Sequence, residues 1–152
     1  YLKLSHCDEI LLSRDFSRSM LASASSAAGL SHVIKSLLFN IDGVRIETAR
    51  FPDSFIGRTF RELRDHFNRK DACQCIGILE NTGNITSRKK EALREAQKNP
   101  DISRIIPSLQ NVKTLSANDP IINPGGEYII KKYTRAIVIV GTGVTSEEVA
   151  AA

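Results

Sequence analysis

Thr59-Phe60-Arg61-Glu62 spells a helix start, and the residues on both sides of that helix have strand character. In such a capping box the Thr59 hydroxyl accepts from the third helical amide and Glu62 bonds back. Phe60, Leu63 and Phe67 then recur on one side, with Arg61, Arg64, Asp65 and Arg69 facing water, so the helix lies on a sheet and ends near residues 68–71. Upstream, Val44, Ile46 and Thr48 alternate with Arg45, Glu47 and Ala49, the period of a half-buried strand, which Phe51-Pro52-Asp53 closes. Downstream, Cys73 to Glu80 reads as a buried strand carrying Cys75, Ile76, Ile78 and Leu79, and Asn81 to Asn84 turns the chain. A strand, a capped amphipathic helix and a second strand predict an α+β lobe with a small mixed sheet and flanking helices.

The surrounding segments extend this plan. Ser13 can cap a helix with Phe16, Met20, Ala24 and Ala27 at spacings of three and four, and the run Leu21 to Ala28 is made mostly of small residues that allow close approach of another helix. Gly29 breaks it. Ser31 can cap a second helix with Val33, Ile34, Leu37 and Leu38 on one side, ended by the turn Asp42-Gly43. Met20, Leu30, Val33, Ile34, Leu37 and Leu38 are the residues expected to form a crossover or dimer interface. Beyond the central lobe, Thr86 to Lys98 is rich in helix formers with an apolar line of Ala92, Leu93 and Ala96, and Asn99-Pro100 stops it. Val112 to Leu115, Ile121-Ile122 and Tyr128 to Ile130 are expected as short strands, separated by Asn118-Asp119-Pro120 and by Asn123 to Gly126. Ala136 to Val140 is expected as a terminal strand.

Composition narrows the function classes. The 21 basic and 17 acidic residues leave a net charge of +4, but they interleave along the chain, and the densest basic run is Arg88-Lys89-Lys90. With 6% aromatic residues and no Trp, a base-stacking surface is not expected, and no nucleic-acid partner is inferred. No run reaches the 18 or so consecutive apolar residues that span a bilayer. Cys7, Cys73 and Cys75 form an odd set without framework spacing, which fits a reducing compartment.

The candidate chemistry is sparse. His6, His32 and His66 sit in unlike contexts with no nucleophile-elbow motif, so an enzyme is not expected. Cys73 and Cys75 are separated by a single residue without a second pair, which suits buried strand cysteines better than a metal centre. Asp53, Glu62, Glu80, Asp119 and Glu127 could supply oxygens to calcium, although no loop has the EF-hand pattern. Arg58 and Arg61 flank the capped helix start, where free amides and the helix dipole favour a phosphate; the competing reading is two solvent-facing arginines. Gly141-Thr142-Gly143 after an apolar strand has the look of a dinucleotide loop, but the third glycine is absent, which favours a terminal strand.

Phe55-Ile56-Gly57-Arg58-Thr59-Phe60-Arg61-Glu62-Leu63, then Ile76-Gly77-Ile78, Asn118-Asp119-Pro120 and Gly125-Gly126-Glu127-Tyr128-Ile129-Ile130 follow one another in an order that resembles the C-terminal lobe of RCK domains, also called the TrkA-C domain. His6 to Ser13 is similar to the last strand of the Rossmann-like lobe that precedes it in that family, with residues 13–39 as crossover helices. The likeness covers about residues 4–131. It departs from the pattern in a longer insertion, Asn81 to Gln110, and in Glu127 where Asp is common. The resemblance implies a remnant of the first lobe over 1–43, the C-terminal lobe over 44–140 and a tail over 141–152. It further implies a ligand-sensing regulatory domain at the cytoplasmic face of the cell membrane that controls gating of a potassium channel or potassium-uptake system. The alternative is a regulatory binding module of a non-potassium transporter or another regulator. Its implied partners are a second copy of itself, assembling into a ring, and a potassium pore or transporter subunit. Its implied ligands are calcium or a cyclic dinucleotide, with NAD or another nucleotide in the preceding lobe.

Overall fold

The computed structural model describes residues 13–97, 112 and 116–144. Expectations for residues 1–12, 113–115 and 145–152, and for the Asn99-Pro100 stop, fall outside these. In chain order the elements are α1 (Ser13–Ser26), α2 (Leu30–Leu38), β1 (Arg45–Ala49), α3 (Phe60–Asn68), β2 (Cys73–Glu80), α4 (Ile85–Gln97), β3 (Asp119–Ile122) and β4 (Arg135–Val140). The strands form one sheet in the order β1-β4-β2-β3, and every neighbouring pair is antiparallel. The α+β class expected from the sequence is the one observed.

The core lies where the capped helix meets the sheet. Phe60, Leu63 and Phe67 on α3 are fully buried against Cys73, Cys75 and Ile78 of β2 and Ala136, Val138 and Val140 of β4, with Ala49 and Ile130 completing the cluster. Cross-strand register explains the selection, because Cys73 pairs with Val140, Cys75 with Val138 and Ile78 with Ala136, so all six face one side. A bulge between Cys75 and Gly77 restores that alternation after Ile76. On β1 the register puts Arg45, Glu47 and Ala49 on the helix side, whereas Ile46 stays exposed on the other face. Arg45 makes this tolerable by donating to Glu47 at 2.5 Å and to the Val144 carbonyl at 3.0 Å.

Several expectations are corrected by non-local pairing. Asp119 and Pro120 belong to β3 rather than to a turn: β3 is an edge strand with an unpaired side, where a proline's missing donor costs nothing. Tyr128 to Ile130 is not a strand but a single bridge, Ile129 opposite Thr59. Val112 is helical. The cap of α2 is Gly29 in the left-handed region, φ 86°, a conformation open to glycine, and Ser31 lies inside the first turn. Helix α4 is capped one residue before its start by Asn84, whose Oδ1 accepts from the amides of Thr86 (2.9 Å) and Ser87 (3.3 Å).

Helices α1 and α2 touch each other, and α2 reaches β1, but no residue of α2 is buried. Val33 and Leu38 are more than half exposed at 54% and 51%. Met20, Leu30, Ile34 and Leu37 are half-buried. The stripe expected to form a crossover interface is therefore split: one part is covered within the chain and the other faces outward.

Candidate functional site

The two arginines proposed from the sequence are placed by the loop before α3 and do different things. Arg58 lies over the ring of Phe55, 5.7 Å from its centroid, in a cavity of about 250 Å³ shared with Glu62, Asp65, His66 and Arg69. His66 lies tilted against the Phe55 ring with centroids 4.9 Å apart, and its Nε2 is buried without a hydrogen-bond partner. Arg61 instead pairs with the exposed Glu127 at 2.7 Å, and its guanidinium lies against Gly126.

Free amides do not remain at this helix start. The Phe60 amide donates to the Tyr128 carbonyl (2.7 Å), the Arg61 amide to Gly126 (3.0 Å), and the Glu62 amide to Thr59 Oγ1 (3.4 Å). The same two segments are joined again by Gly57 donating to Ile130 (2.8 Å) and Ile130 donating to Arg58 (2.9 Å). The segment 126–130 thus occupies the donors that a phosphate would use, which is the proper satisfaction of a helix end but leaves Arg58 with side-chain chemistry alone. Nothing in the local spacing around Thr59 could have revealed this, since its partners come from more than sixty residues further along the chain.

The acidic residues considered for calcium do not converge. Glu80 is buried and accepts from the Tyr128 hydroxyl at 2.5 Å and from Lys131 Nζ at 3.2 Å. Burial and the Glu80 carboxylate push the Tyr128 hydroxyl up from its ordinary value, and the bond to Tyr128 followed by those to Glu80 push the Lys131 ammonium up. Glu127 is committed to Arg61, Glu62 lines the Arg58 cavity, and Asp53 lines a separate cavity. Among the described residues, no group of three or more His, Cys, Asp or Glu side chains is placed to hold a metal ion.

Cys73 and Cys75 are free and buried. Desolvation pushes the Cys75 thiol up to about 11, and it donates to the Gly77 carbonyl at 3.5 Å; desolvation also raises Cys73. A thiol held protonated is a poor nucleophile and a poor metal ligand. The glycines after β4 also have a structural role. The Gly141 amide donates to the Ala72 carbonyl at 2.6 Å, and a Cβ on Gly141 would come within 2.9 Å of the Ala72 Cβ. Strand β4 is central and antiparallel to both neighbours, unlike the first strand of a dinucleotide-binding unit.

Sequence reading missed the cluster around Tyr133. Arg88 lies 3.6 Å above the Tyr133 ring and donates to Glu91 at 3.0 Å, and the Tyr133 hydroxyl donates to the same Glu91, fastening α4 to the loop before β4. The signal available was the Arg88 and Glu91 pair one turn apart; its target 45 residues away was not legible. No protein-family profile, curated protein or solved structure matches this chain.

Proposed function

We propose that the chain is a ligand-sensing regulatory lobe, acting at the cytoplasmic face of a membrane, that controls gating of a potassium channel or potassium-uptake system. The observation that carries the reading is the closure of residues 57–61 on residues 126–130 by four backbone hydrogen bonds. These are the two longest segments on which the resemblance to RCK C-terminal lobes rests, and their mutual closure supports a common architectural role for both. Val33 and Leu38, the large apolar side chains that α2 leaves exposed, support self-association, since a second copy could cover them. Arg58, held over Phe55 beside His66 and Arg69, is the residue proposed to meet an anionic ligand.

In such a lobe a ligand acts by its difference in affinity between two arrangements of paired copies, with coupling of about 1–3 kcal/mol per site, or roughly 5- to 150-fold. The test is rubidium flux into liposomes carrying the full polypeptide together with its pore subunit, with calcium, NAD, ATP or a cyclic dinucleotide added in turn. A several-fold change with one of them, reduced by Arg58→Ala, is expected. Flux unchanged by all four would overturn the proposal, and ligand-dependent transport of a different ion would move it to a non-potassium transporter.

A further inference from the structure

We infer that the cavity at the β1–β4 end of the sheet is a binding site for a phosphate group. The cavity has a volume of about 250 Å³ and is lined by Arg50, Asp53, Lys131, Thr134 and Arg135, among others. Ligand pockets that enclose a whole small molecule run from about 300 to 1,000 Å³, so this one takes a charged group and leaves the rest of a larger ligand outside.

Three observations converge on an oxyanion. First, Ala49 and Ala136 are register partners on antiparallel strands, so the next residues outward, Arg50 and Arg135, stand at adjoining positions across the two chains. Like charges so placed repel. Neither arginine makes an ion pair among the described residues, so an anion between them would remove the conflict. Second, the lining holds three cations, Arg50, Lys131 and Arg135, against the one carboxylate of Asp53, and with Lys131 already paired to Glu80 the two arginines still leave one positive charge in excess. A phosphate monoester carries about −1.5 to −2 at neutral pH, and the planar guanidinium fork matches its oxygens in pairs. Lys131 is shared with Glu80 at 3.2 Å, which fixes its position. Third, Thr134 Oγ1 is buried with no hydrogen-bond partner in the folded chain, although its residue lines this cavity. Buried hydroxyls are nearly always satisfied, and a turn of the Thr134 side chain toward the cavity would let a bound oxygen satisfy this one.

The loop that carries these groups is held in shape. Thr82 donates to the Tyr133 carbonyl with both its amide (2.8 Å) and its hydroxyl (2.9 Å), while Tyr133 sits at φ 60°, a conformation that a bulky residue keeps only under constraint. The backbone of the site is therefore preset, and binding asks only the Thr134 side chain to turn. It stands apart from Arg58 and from the proposed control of potassium flux, because it requires only the folded chain.

The experiment is calorimetric titration of the purified chain with inorganic phosphate, with AMP and with vesicles containing phosphatidate, each repeated on Arg50→Gln, Arg135→Gln and Thr134→Val. Saturable binding to at least one is expected: phosphate identifies a free ion, AMP alone a nucleotide phosphate, and vesicles alone a lipid headgroup. Each arginine variant should weaken binding by on the order of tenfold, the worth of one charged pair. Thr134→Val should weaken binding while leaving the ligand-free unfolding midpoint unchanged or raised, since it removes an unsatisfied hydroxyl without changing shape. Absence of binding in all three titrations overturns the site, and so does full affinity in both arginine variants. Because flux plays no part in this readout, a failure of the gating proposal leaves the result standing.

Discussion

At the scale of single residues, Cys75 shows how burial becomes a pH dependence. Desolvation raises its thiol from 9.0 to about 11, so the folded chain keeps a proton that the unfolded chain releases. A group with a raised folded pKa contributes stability that is fully present below the unfolded value and is lost as pH climbs through the folded one. The window here is pH 9 to about 11, and two units correspond to about 3 kcal/mol at roughly 1.4 kcal/mol each. Cys73, Tyr128 and Lys131, all raised, add to the alkaline loss in the same direction. Cys75→Ala is expected to lower stability near pH 7 by about 1 kcal/mol through lost packing, yet to flatten the decline above pH 9. Urea midpoints from pH 7 to 11 read both effects; an unchanged alkaline slope in the variant would remove Cys75 as its main source.

At the scale of elements, β3 depends on a missing side chain. A Cβ on Gly77 would lie 2.5 Å from the Ile121 carbonyl oxygen and 3.1 Å from the Ile122 Cα, both backbone atoms of the paired edge strand. Neither can swing aside as a side chain would, so Gly77→Ala is expected to cost about 1–3 kcal/mol, as overpacking does, and to loosen β3 first. Gly125→Ala, with nothing within 4 Å of the added atom, is the control and should be near neutral. Amide exchange at Ile121 and Ile122 checks whether the loss is local. The contrast also marks what the sequence could convey. Helix α3, β1 and β2 were legible as elements because residue alternation and the Thr59 cap are local signals, although the apolar positions of β1 did not reveal which of its faces turns inward. Pro120 inside β3, the reduction of 128–130 to one bridge, and the capture of the Phe60 and Arg61 amides were not, because each is decided by a partner distant along the chain. The same reason hid the cavity between Arg50 and Arg135, which are 85 positions apart and meet only through the β1–β4 register.

At the scale of the whole molecule, the α3-side core is well filled whereas α2 is left half-covered. Leu21, Val33, Leu38, Phe39 and Ile41 are all exposed large apolar side chains clustered in one stretch of chain around α1 and α2. A stable pair of proteins buries about 800 Å² on each partner, and fully burying a Val or Leu contributes about 1.5–3 kcal/mol. On the self-association proposed here, Val33 and Leu38 would be two of the side chains removed from water. Introducing a charge at both, Val33→Asp with Leu38→Asp, is therefore expected to raise the dissociation constant of a dimer by at least on the order of a hundredfold. Neither residue is buried within the chain, so the thermal midpoint of the monomer should move little, as surface substitutions change stability by about 0.5 kcal/mol or less. Sedimentation velocity over a concentration series separates the two effects. A wild-type chain that stays monomeric at every concentration would remove the α2 stripe as a pairing surface, while a variant that both dissociates and unfolds would show that these helices are needed for the fold itself.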